Sequence, residues 1–310
     1  MDGAGSPRLA SRLMRPKLHA DEIDIDDDLV RRLLREQFPQ WAELPLEPIA
    51  SSGTVNVVYR LGRGMLVRLP RVMWGVDDVY REQVWLPRLA PHLPIAVPTL
   101  LGAGAPGAGY PCPWSVFDWL DGHNPTLGEL QAPELLARDL TRFVQDLRQV
   151  GTDGAPKAYR GGPLAPLDAG VRQAITQLRD KIDTAAATTA WDDALRAPDW
   201  PRPPVWVHAD LVPGNLLLKD GRLSAVIDFA AAGIGDPACD LMPVWGTLPA
   251  TVRAVVRDDL DVDDATWTRG RGWTLAQALI ALPYYEHTNP VMAANARHAI
   301  HEVLDEAKPA

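Results

Sequence analysis

Apolar and polar positions along this chain form a strand-rich first third followed by a helix-rich remainder. Short apolar runs bounded by turn residues predict strands around residues 48–61, 65–69 and 114–120. Apolar residues at helical spacing predict helices at about 29–38, 79–89, 136–147, 171–182, 263–286 and 290–306. This order of elements predicts an α+β fold whose second part is mainly helical.

With 310 residues, the chain is long enough for two lobes that each have their own hydrophobic core. Residues 1–20 are small, polar and basic without apolar periodicity, so we expect a disordered tail there. The strand-rich part predicts an N-terminal lobe over 21–119. The helix-rich part predicts a C-terminal lobe over 120–310.

Composition narrows the classes of partner. The formal net charge of −9 disfavours nucleic acid and favours a cationic small molecule. Cys112 and Cys239 provide neither a disulfide framework nor metal-ligand spacing. The N-terminal residues lack the apolar segment of a signal peptide, and no run of about twenty apolar residues follows, so we expect a cytoplasmic protein with no membrane partner. The sequence does not indicate the oligomeric state.

The clearest chemistry surrounds a predicted β-hairpin. Two apolar runs flank Asp220-Gly221, a dipeptide typical of tight hairpin turns. Folding the chain there sets Asn215 opposite about residue 226, so Asn215 and Asp228 meet at the open end of the hairpin. An amide oxygen and a carboxylate are hard ligands, suited to a Mg²⁺ ion that is shared with phosphates.

The residues around this hairpin resemble a known family. His208-Ala-Asp210-Leu-Val-Pro-Gly-Asn215, then a hydrophobic strand and Asp228-Phe-Ala, follow the catalytic-loop and metal-aspartate pattern of kinases. The later Gly-Asp-Pro-Ala-Cys-Asp240-Leu is similar to the aminoglycoside phosphotransferase family of antibiotic and small-molecule kinases. The resemblance extends from about residue 51 to the C-terminus.

This resemblance implies a bilobal protein-kinase-like fold. The N-terminal lobe, an antiparallel sheet plus a helix, is expected to bind ATP or GTP. The mainly α-helical C-terminal lobe is expected to carry the catalytic hairpin and bind the acceptor. Asp210 is then the catalytic base that accepts a proton from the acceptor hydroxyl, and Asn215 and Asp228 hold Mg²⁺ on the nucleotide phosphates.

Supporting roles follow for residues beside the motif. We expect His208 to orient the loop by hydrogen bonding, and Asp240 to accept hydrogen bonds from the catalytic-loop backbone. Asp236 before a proline is typical of a helix N-cap. Ala209 stands where the family usually has glycine, a difference that matters only if the backbone there needs a positive φ. Ala230 is the other departure from the common pattern.

Nucleotide-binding residues are predicted in the N-terminal lobe. Ser52, Gly53 and Thr54 occupy the nucleotide-loop position, where hydroxyl and backbone N–H groups would face phosphates. No full Gly-x-Gly-x-x-Gly is present, so a plain hairpin turn is the alternative. Arg68 stands where protein kinases place their phosphate-binding lysine, with Glu82 as its ion-pair partner. The alternative is an exposed strand arginine and a solvated helix glutamate.

The interlobe connection and the acceptor pocket are predicted more coarsely. Backbone groups of Phe117, Asp118 and Trp119 are expected to contact adenine or guanine. In the C-terminal helices, the acceptor-pocket residues are predicted to be Tyr284, Tyr285 and Glu286. Ordinary packing of the tyrosines is the alternative. A run of aspartates over 258–264 is typical of a solvated, helix-capping surface, although such a run also suits a polyamine.

We interpret the sequence as an enzyme that moves the γ-phosphoryl group of Mg-ATP or Mg-GTP to a hydroxyl of an aminoglycoside-like antibiotic, a reaction that confers resistance. One alternative is a kinase of a macrolide, choline, an amino alcohol or a sugar. Another is a catalytically silent nucleotide-binding regulatory module. Protein kinase activity is disfavoured because only seven residues, Phe-Ala-Ala-Ala-Gly-Ile-Gly, separate Asp228 from Asp236, too few for a peptide-docking segment.

Overall fold

A computed structural model describes residues 21–50 and 53–306 of the chain. The tail predicted over 1–20 and the nucleotide-loop residue Ser52 lie outside the described residues. In the described part, the strands are β1 Leu46–Pro48, β2 Asn56–Leu61, β3 Met65–Pro70, β4 Leu100–Gly104, β5 Trp114–Asp118, β6 Val205–Val207, β7 Leu216–Lys219, β8 Arg222–Val226 and β9 Gly233–Gly235.

In the same described residues, the α-helices are α1 Asp27–Gln37, α2 Val76–Leu89, α3 Pro133–Arg148, α4 Asp168–Gln177, α5 Thr184–Arg196, α6 Pro243–Gly246, α7 Arg253–Asp259, α8 Asp264–Tyr285 and α9 Pro290–Glu306. Strands dominate before residue 119 and helices after it, which confirms the predicted α+β class. The lobe boundary at that position stays a prediction. No helix among the described residues is long and apolar enough to cross a membrane.

The N-terminal part is an antiparallel five-stranded sheet in the order β1-β2-β3-β5-β4. Apolar side chains on one of its faces pack against α1, where Leu33 is fully buried together with Val67 and Trp114. The helix begins at Asp27, two residues before the predicted start, because the Asp26 carboxylate caps it by accepting from the backbone N–H of Leu29 at 2.9 Å. The first lobe therefore has a core of its own.

A larger core runs through the helices that follow residue 119, and it also takes in Leu86 and Leu89 from α2. Helix α2 therefore lies between the sheet and the helical part, and its position is set by both. Helix α8 lies against α4, α5 and α9 in this second core. It begins with the predicted cap, since the Asp263 carboxylate accepts from the backbone N–H of Thr266 at 2.6 Å.

The predicted hairpin forms from β7 and β8, with Lys219 paired to Arg222. Its turn needs left-handed backbone, and Asp220 and Gly221 supply φ values of +52° and +74°. A bulge between Leu217 and Leu218 then shifts the pairing by one residue.

Replacing Gly221 with alanine tests this turn. A Cβ there would lie 3.4 Å from the Ala132 Cβ, and the alanine backbone would have to keep a left-handed φ. We expect Gly221→Ala to lower the free energy of unfolding by about 1 kcal/mol in urea titrations. Gly246→Ala is the matched control, because its Cβ would meet nothing within 4 Å. Equal stabilities of the two variants would contradict the left-handed requirement.

Candidate active site

Strand β6 leads directly into the catalytic loop, and β9 pairs antiparallel with it, so the chain before His208 and the chain after Asp228 lie side by side. The Asp240 carboxylate accepts from the backbone N–H of His208 at 2.9 Å and from that of Ala209 at 2.8 Å. These are the contacts expected of Asp240. Burial raises its pKa above the ordinary value, against the effect of His208 and of the two N–H groups.

The structure shows why the alanine at position 209 matters. Ala209 has φ +64°, in the left-handed region, so the departure from glycine falls where glycine would be least strained. An alanine in this conformation costs about 1–2 kcal/mol. Its N–H is bonded to Asp240 and its carbonyl accepts from Arg160 at 2.9 Å, so hydrogen bonds on both sides hold the strained peptide in place.

His208 is fully buried and forms hydrogen bonds through both ring nitrogens. Nε2 lies 3.2 Å from the carbonyl oxygen of Ile227, and Nδ1 accepts from the backbone N–H of Asp210 at 3.3 Å. A neutral ring with the proton on Nε2 satisfies both contacts. Burial lowers the pKa of His208, which favours the same neutral form. The expected hydrogen bonding of His208 therefore links the catalytic loop to the strand that precedes Asp228.

The carboxylate of Asp210 is held at both oxygens. Asn215 Nδ2 donates to Asp210 Oδ2 at 3.0 Å and to its carbonyl oxygen at 2.9 Å, and Arg160 Nη1 donates to Oδ1 at 2.8 Å. The sequence did not suggest Arg160. It lies in a glycine-rich loop 50 residues upstream and belongs to no motif, so only the three-dimensional structure brings it to the site.

Asn215 and Asp228 meet at the hairpin's open end as predicted, although the register is shifted by the bulge. Leu216 rather than Asn215 pairs with Val226, and the backbone N–H of Ile227 donates to the carbonyl of Asn215 at 2.9 Å. The predicted pairing of Asn215 with residue 226 was wrong by one position. Asp228 itself has φ +65°, a conformation that aspartate adopts more readily than most residues.

Arg68 joins Asp228 to the first lobe. Its Nη1 donates to both carboxylate oxygens of Glu82 at 2.8 Å, and its Nη2 donates to Asp228 Oδ1 at 2.7 Å. The side chains of Arg68 and Glu82 are only 13% and 4% exposed. The alternative of a solvated pair is therefore wrong. Glu82 also accepts from the backbone N–H of Phe229 at 2.9 Å, which ties α2 to the same segment.

One guanidinium lies between two carboxylates here, and their pKa values move apart. Burial, together with the charge of Asp228, raises the pKa of Glu82 to about 7, against the effect of Arg68. Burial also acts to raise the pKa of Asp228, but the charge and hydrogen bond of Arg68 hold it below its ordinary value. Asp228 thus keeps its negative charge at neutral pH and remains 36% exposed toward the cleft.

Asn215 and Asp228 carry oxygen donors of the kind that suits a metal ion. No group of three or more His, Cys, Asp or Glu able to hold a metal ion occurs in residues 21–50 and 53–306. Asn215 directs its amide nitrogen at Asp210, which leaves its amide oxygen for a cation, and Asp228 is an ionised carboxylate beside it. One amide oxygen and one carboxylate fit a Mg²⁺ ion that takes its other ligands from phosphates and water.

The predicted nucleotide loop lies between β1 and β2. Its residue Thr54 has its Oγ1 3.2 Å from the hydroxyl of Tyr285, which comes from the last turn of α8. The electrostatic influence of Asp210 and Arg160 also reaches Tyr285, whose pKa is raised chiefly by burial. Tyr285 therefore contacts the predicted nucleotide loop through Thr54 and lies within the electrostatic reach of Asp210.

Of the other predicted acceptor residues, Tyr284 is exposed and packs edge-on against Tyr285, with ring centroids 4.8 Å apart. Glu286 turns elsewhere, because its carboxylate pairs with Lys181 at 2.5 Å and with Arg297 at 3.1 Å. These two cations lower the pKa of Glu286 and neutralise its charge. The interleaved aromatic and acidic residues are thus divided between the cleft and a surface ion-pair cluster.

Of the predicted interlobe residues, Phe117 and Asp118 end β5 and Trp119 follows it. The N–H groups of Asp118 and Trp119 are used within the first lobe. The N–H of Asp118 donates to the carbonyl of Thr99 at 3.0 Å, and the N–H of Trp119 donates to that of Gly64 at 2.9 Å. Phe117 is buried in the sheet between β3 and β4. The N–H groups of Asp118 and Trp119 therefore already have partners within the first lobe.

Asp236 does more than cap a helix. Its carboxylate accepts from the backbone N–H of Ala238 at 3.0 Å, as predicted, at the start of a short 3₁₀-helix. It also forms a buried ion pair with Arg269 of α8, with Nε and Oδ2 2.6 Å apart. This pair fixes the segment that carries Asp240 against α8, a contact that sequence spacing does not reveal.

Comparisons with known proteins identify the family of this chain. A sequence model of the phosphotransferase enzyme family matches residues 46–273. The chain belongs to this family, which confirms the resemblance found in the sequence. A comparison with curated proteins returns no match.

Several solved structures are similar to this one. The GDP complex of a mutant aminoglycoside 2′-phosphotransferase-IIIa has a TM-score of 0.71 at 19% identity, over 91% of this chain and 97% of that chain. The GDP and kanamycin complex of an APH(2″) enzyme has a TM-score of 0.67 at 19% identity, over 90% and 97%. Macrolide 2′-phosphotransferase MphH from Brachybacterium faecium has a TM-score of 0.58 at 23% identity, over 88% of this chain and 97% of that chain. This likeness confirms the predicted bilobal kinase-like fold.

Replacing Asp240 with asparagine tests how the catalytic loop is held. Asparagine keeps one acceptor oxygen and turns an NH₂ group toward the other backbone donor, which is then left buried and unsatisfied. We expect Asp240→Asn to lower the free energy of unfolding by about 1–3 kcal/mol. Urea denaturation measures this, with Asp220→Asn in the hairpin turn as the matched control. A variant as stable as the control would refute the role of Asp240.

Proposed function

We propose that the chain is a small-molecule O-phosphotransferase that moves the γ-phosphoryl group of ATP or GTP to a hydroxyl of a cationic, aminoglycoside-like acceptor. The observation that carries this proposal is the Asp210 carboxylate, which Arg160 and Asn215 hold at its two oxygens beside the hairpin end that bears Asp228. Such an arrangement provides a fixed general base next to a site for charge neutralisation, which is what phosphoryl transfer chiefly requires.

In this proposal the first lobe, residues 21–119, binds the nucleotide. Gly53 and Thr54 cover the phosphates and Arg68 faces them while it stays paired with Glu82. The structures named above as GDP complexes support a nucleotide in the same cleft. Because the N–H groups of Asp118 and Trp119 are bonded within the lobe, we assign the backbone contact with the purine to the residues that follow them.

The acceptor approaches from the second lobe, residues 120–310. Asp210 accepts the proton of the acceptor hydroxyl while the hydroxyl oxygen forms a bond to the γ-phosphorus. The bond between the γ-phosphorus and the oxygen of the nucleoside diphosphate breaks, and the diphosphate leaves. Asn215 and Asp228 would hold Mg²⁺, which when bound neutralises phosphate charge. His208 and Asp240 keep the loop in place while Asp210 acts, and both remain away from the reacting atoms.

The acceptor class rests on charge and on the residues near the base. The chain has a formal charge of −9, and a similar structure was solved with kanamycin, a polycation. Tyr285 is the predicted acceptor residue whose pKa responds to the charge of Asp210, whereas Glu286 is neutralised by its own ion pairs. A macrolide is the alternative acceptor, because MphH shares the fold. If the acceptor is an antibiotic, the reaction confers resistance to it.

Replacing Asp210 with asparagine tests the proposal. Asparagine keeps the shape and one acceptor oxygen but cannot take a proton, so we expect turnover to fall roughly 10²–10⁴-fold. The assay measures nucleoside diphosphate released from Mg-ATP or Mg-GTP with kanamycin, gentamicin, erythromycin or choline as acceptor. Asp180→Asn, on an exposed turn, is the control.

The outcomes separate the functions considered. Release that depends on an acceptor and disappears in Asp210→Asn supports the kinase and identifies its substrate class. Full activity of Asp210→Asn contradicts the assignment of the base. Nucleotide binding without release for any acceptor would instead favour a regulatory module that no longer transfers phosphate.

A further inference from the structure

Residues 156–161 form a segment that lies along the chain between Asp228 and Asp240. Its backbone exchanges hydrogen bonds with Ile234, which donates to Pro156 at 2.8 Å and accepts from Ala158 at 3.1 Å. The contact is close enough that a Cβ on Gly233 would lie 2.5 Å from the backbone nitrogen of Ala158. A single parallel bridge between Lys157 and Ile234, with these backbone contacts, therefore fixes the position of the segment.

Helix α2 holds the same segment from the other side. Arg81 Nη1 donates to the carbonyls of Lys157 at 2.8 Å and of Ala232 at 2.9 Å. The guanidinium also lies over the ring of Tyr159, whose hydroxyl bonds to Asp78 at 2.5 Å. Because α2 also carries Glu82, one helix fixes the partner of Arg68 and the segment beside the catalytic loop.

Arg160 extends from this segment to the catalytic loop. Its Nη1 donates both to the carbonyl oxygen of Ala209, at 2.9 Å, and to Asp210 Oδ1, at 2.8 Å. One nitrogen thus bonds the strained peptide and the carboxylate that follows it. The side chains of Arg160 and Asp210 are 26% and 29% exposed, so water screens this pair only in part.

We propose that Arg160 is a positioning residue for Asp210 in the phosphoryl-transfer reaction. It fixes Oδ1 while Asn215 bonds Oδ2, so that the carboxylate keeps one orientation toward the acceptor hydroxyl, and it holds the Ala209 peptide in its left-handed conformation. It acts through Asp210 and does not bind the nucleotide. This inference rests on the proposed function, since a positioned base is needed only if Asp210 accepts a proton.

Two substitutions separate positioning from charge. Arg160→Gln removes the cation and the bond to Asp210, so we expect kcat to fall about 10–100-fold, the loss that a base misplaced by about 1 Å causes. The nucleotide KM should change less than about threefold, because Arg160 does not touch the nucleotide. Arg160→Lys keeps the charge with a different geometry and should recover part of the loss. Arg179→Gln, a highly exposed arginine, is the matched control.

The assay follows nucleoside diphosphate release from Mg-ATP and Mg-GTP. It is run once with kanamycin as the acceptor and once without kanamycin, when water is the acceptor. A lowered kcat at an unchanged nucleotide KM supports the inference. An unchanged kcat, or a raised KM with normal kcat, overturns it. No transfer by the wild-type protein to any acceptor counts against the proposed function instead.

Hydrogen–deuterium exchange tests the positioning without any acceptor. In Arg160→Gln we expect faster amide exchange across residues 205–216, because the Ala209 carbonyl and the Asp210 carboxylate lose a shared donor. Arg179→Gln should leave these amides unchanged. Equal exchange in wild type and Arg160→Gln would overturn the inference even if the protein proves inactive toward every acceptor.

Discussion

The site depends first on the buried guanidinium of Arg68, which bonds a carboxylate from α2 and a carboxylate from the segment after the hairpin. Burying these charges is costly, and truncating one partner of such a pair typically costs about 3–5 kcal/mol. The planar fork of arginine lets one nitrogen bond Glu82 and the other bond Asp228, which an ammonium group would do with different geometry. Arg68 holds the pKa of Asp228 below its ordinary value, so Asp228 keeps its negative charge and stays partly exposed.

The second constraint is backbone strain at two residues of the site. Ala209 and Asp228 both adopt positive φ, and each is held by hydrogen bonds from a distant part of the chain. Asp240 and Arg160 hold Ala209, and Glu82 bonds the residue after Asp228. Strain of this kind persists only where the surroundings over-determine it, and it commonly marks functional sites. Here it sets the direction in which Asp210 and Asp228 point.

The sequence predicted what short-range rules control. Asp-Gly between apolar runs located the hairpin, the helical spacing of apolar residues located α1 and α8, and the hairpin turn brought Asn215 to Asp228. Predictions from the sequence failed where a contact between residues far apart in the chain decides the structure. A bulge shifted the hairpin register, Arg160 reached Asp210 from a loop without a motif, and Lys181 and Arg297 neutralised Glu286. The use of the Asp118 and Trp119 N–H groups within the first lobe also depends on neighbours that spacing does not reveal.

The most direct test of the account is calorimetric titration of the wild-type protein and of Asp228→Ala with ATP and GTP, each with Mg²⁺ and with EDTA. If Asp228 stays negatively charged beside Arg68 and Glu82, it can hold Mg²⁺ on the nucleotide. Mg²⁺ should then strengthen nucleotide binding to the wild type by at least about tenfold, or about 1.4 kcal/mol. Most of this gain should disappear in Asp228→Ala. An equal Mg²⁺ dependence in both proteins would contradict the account.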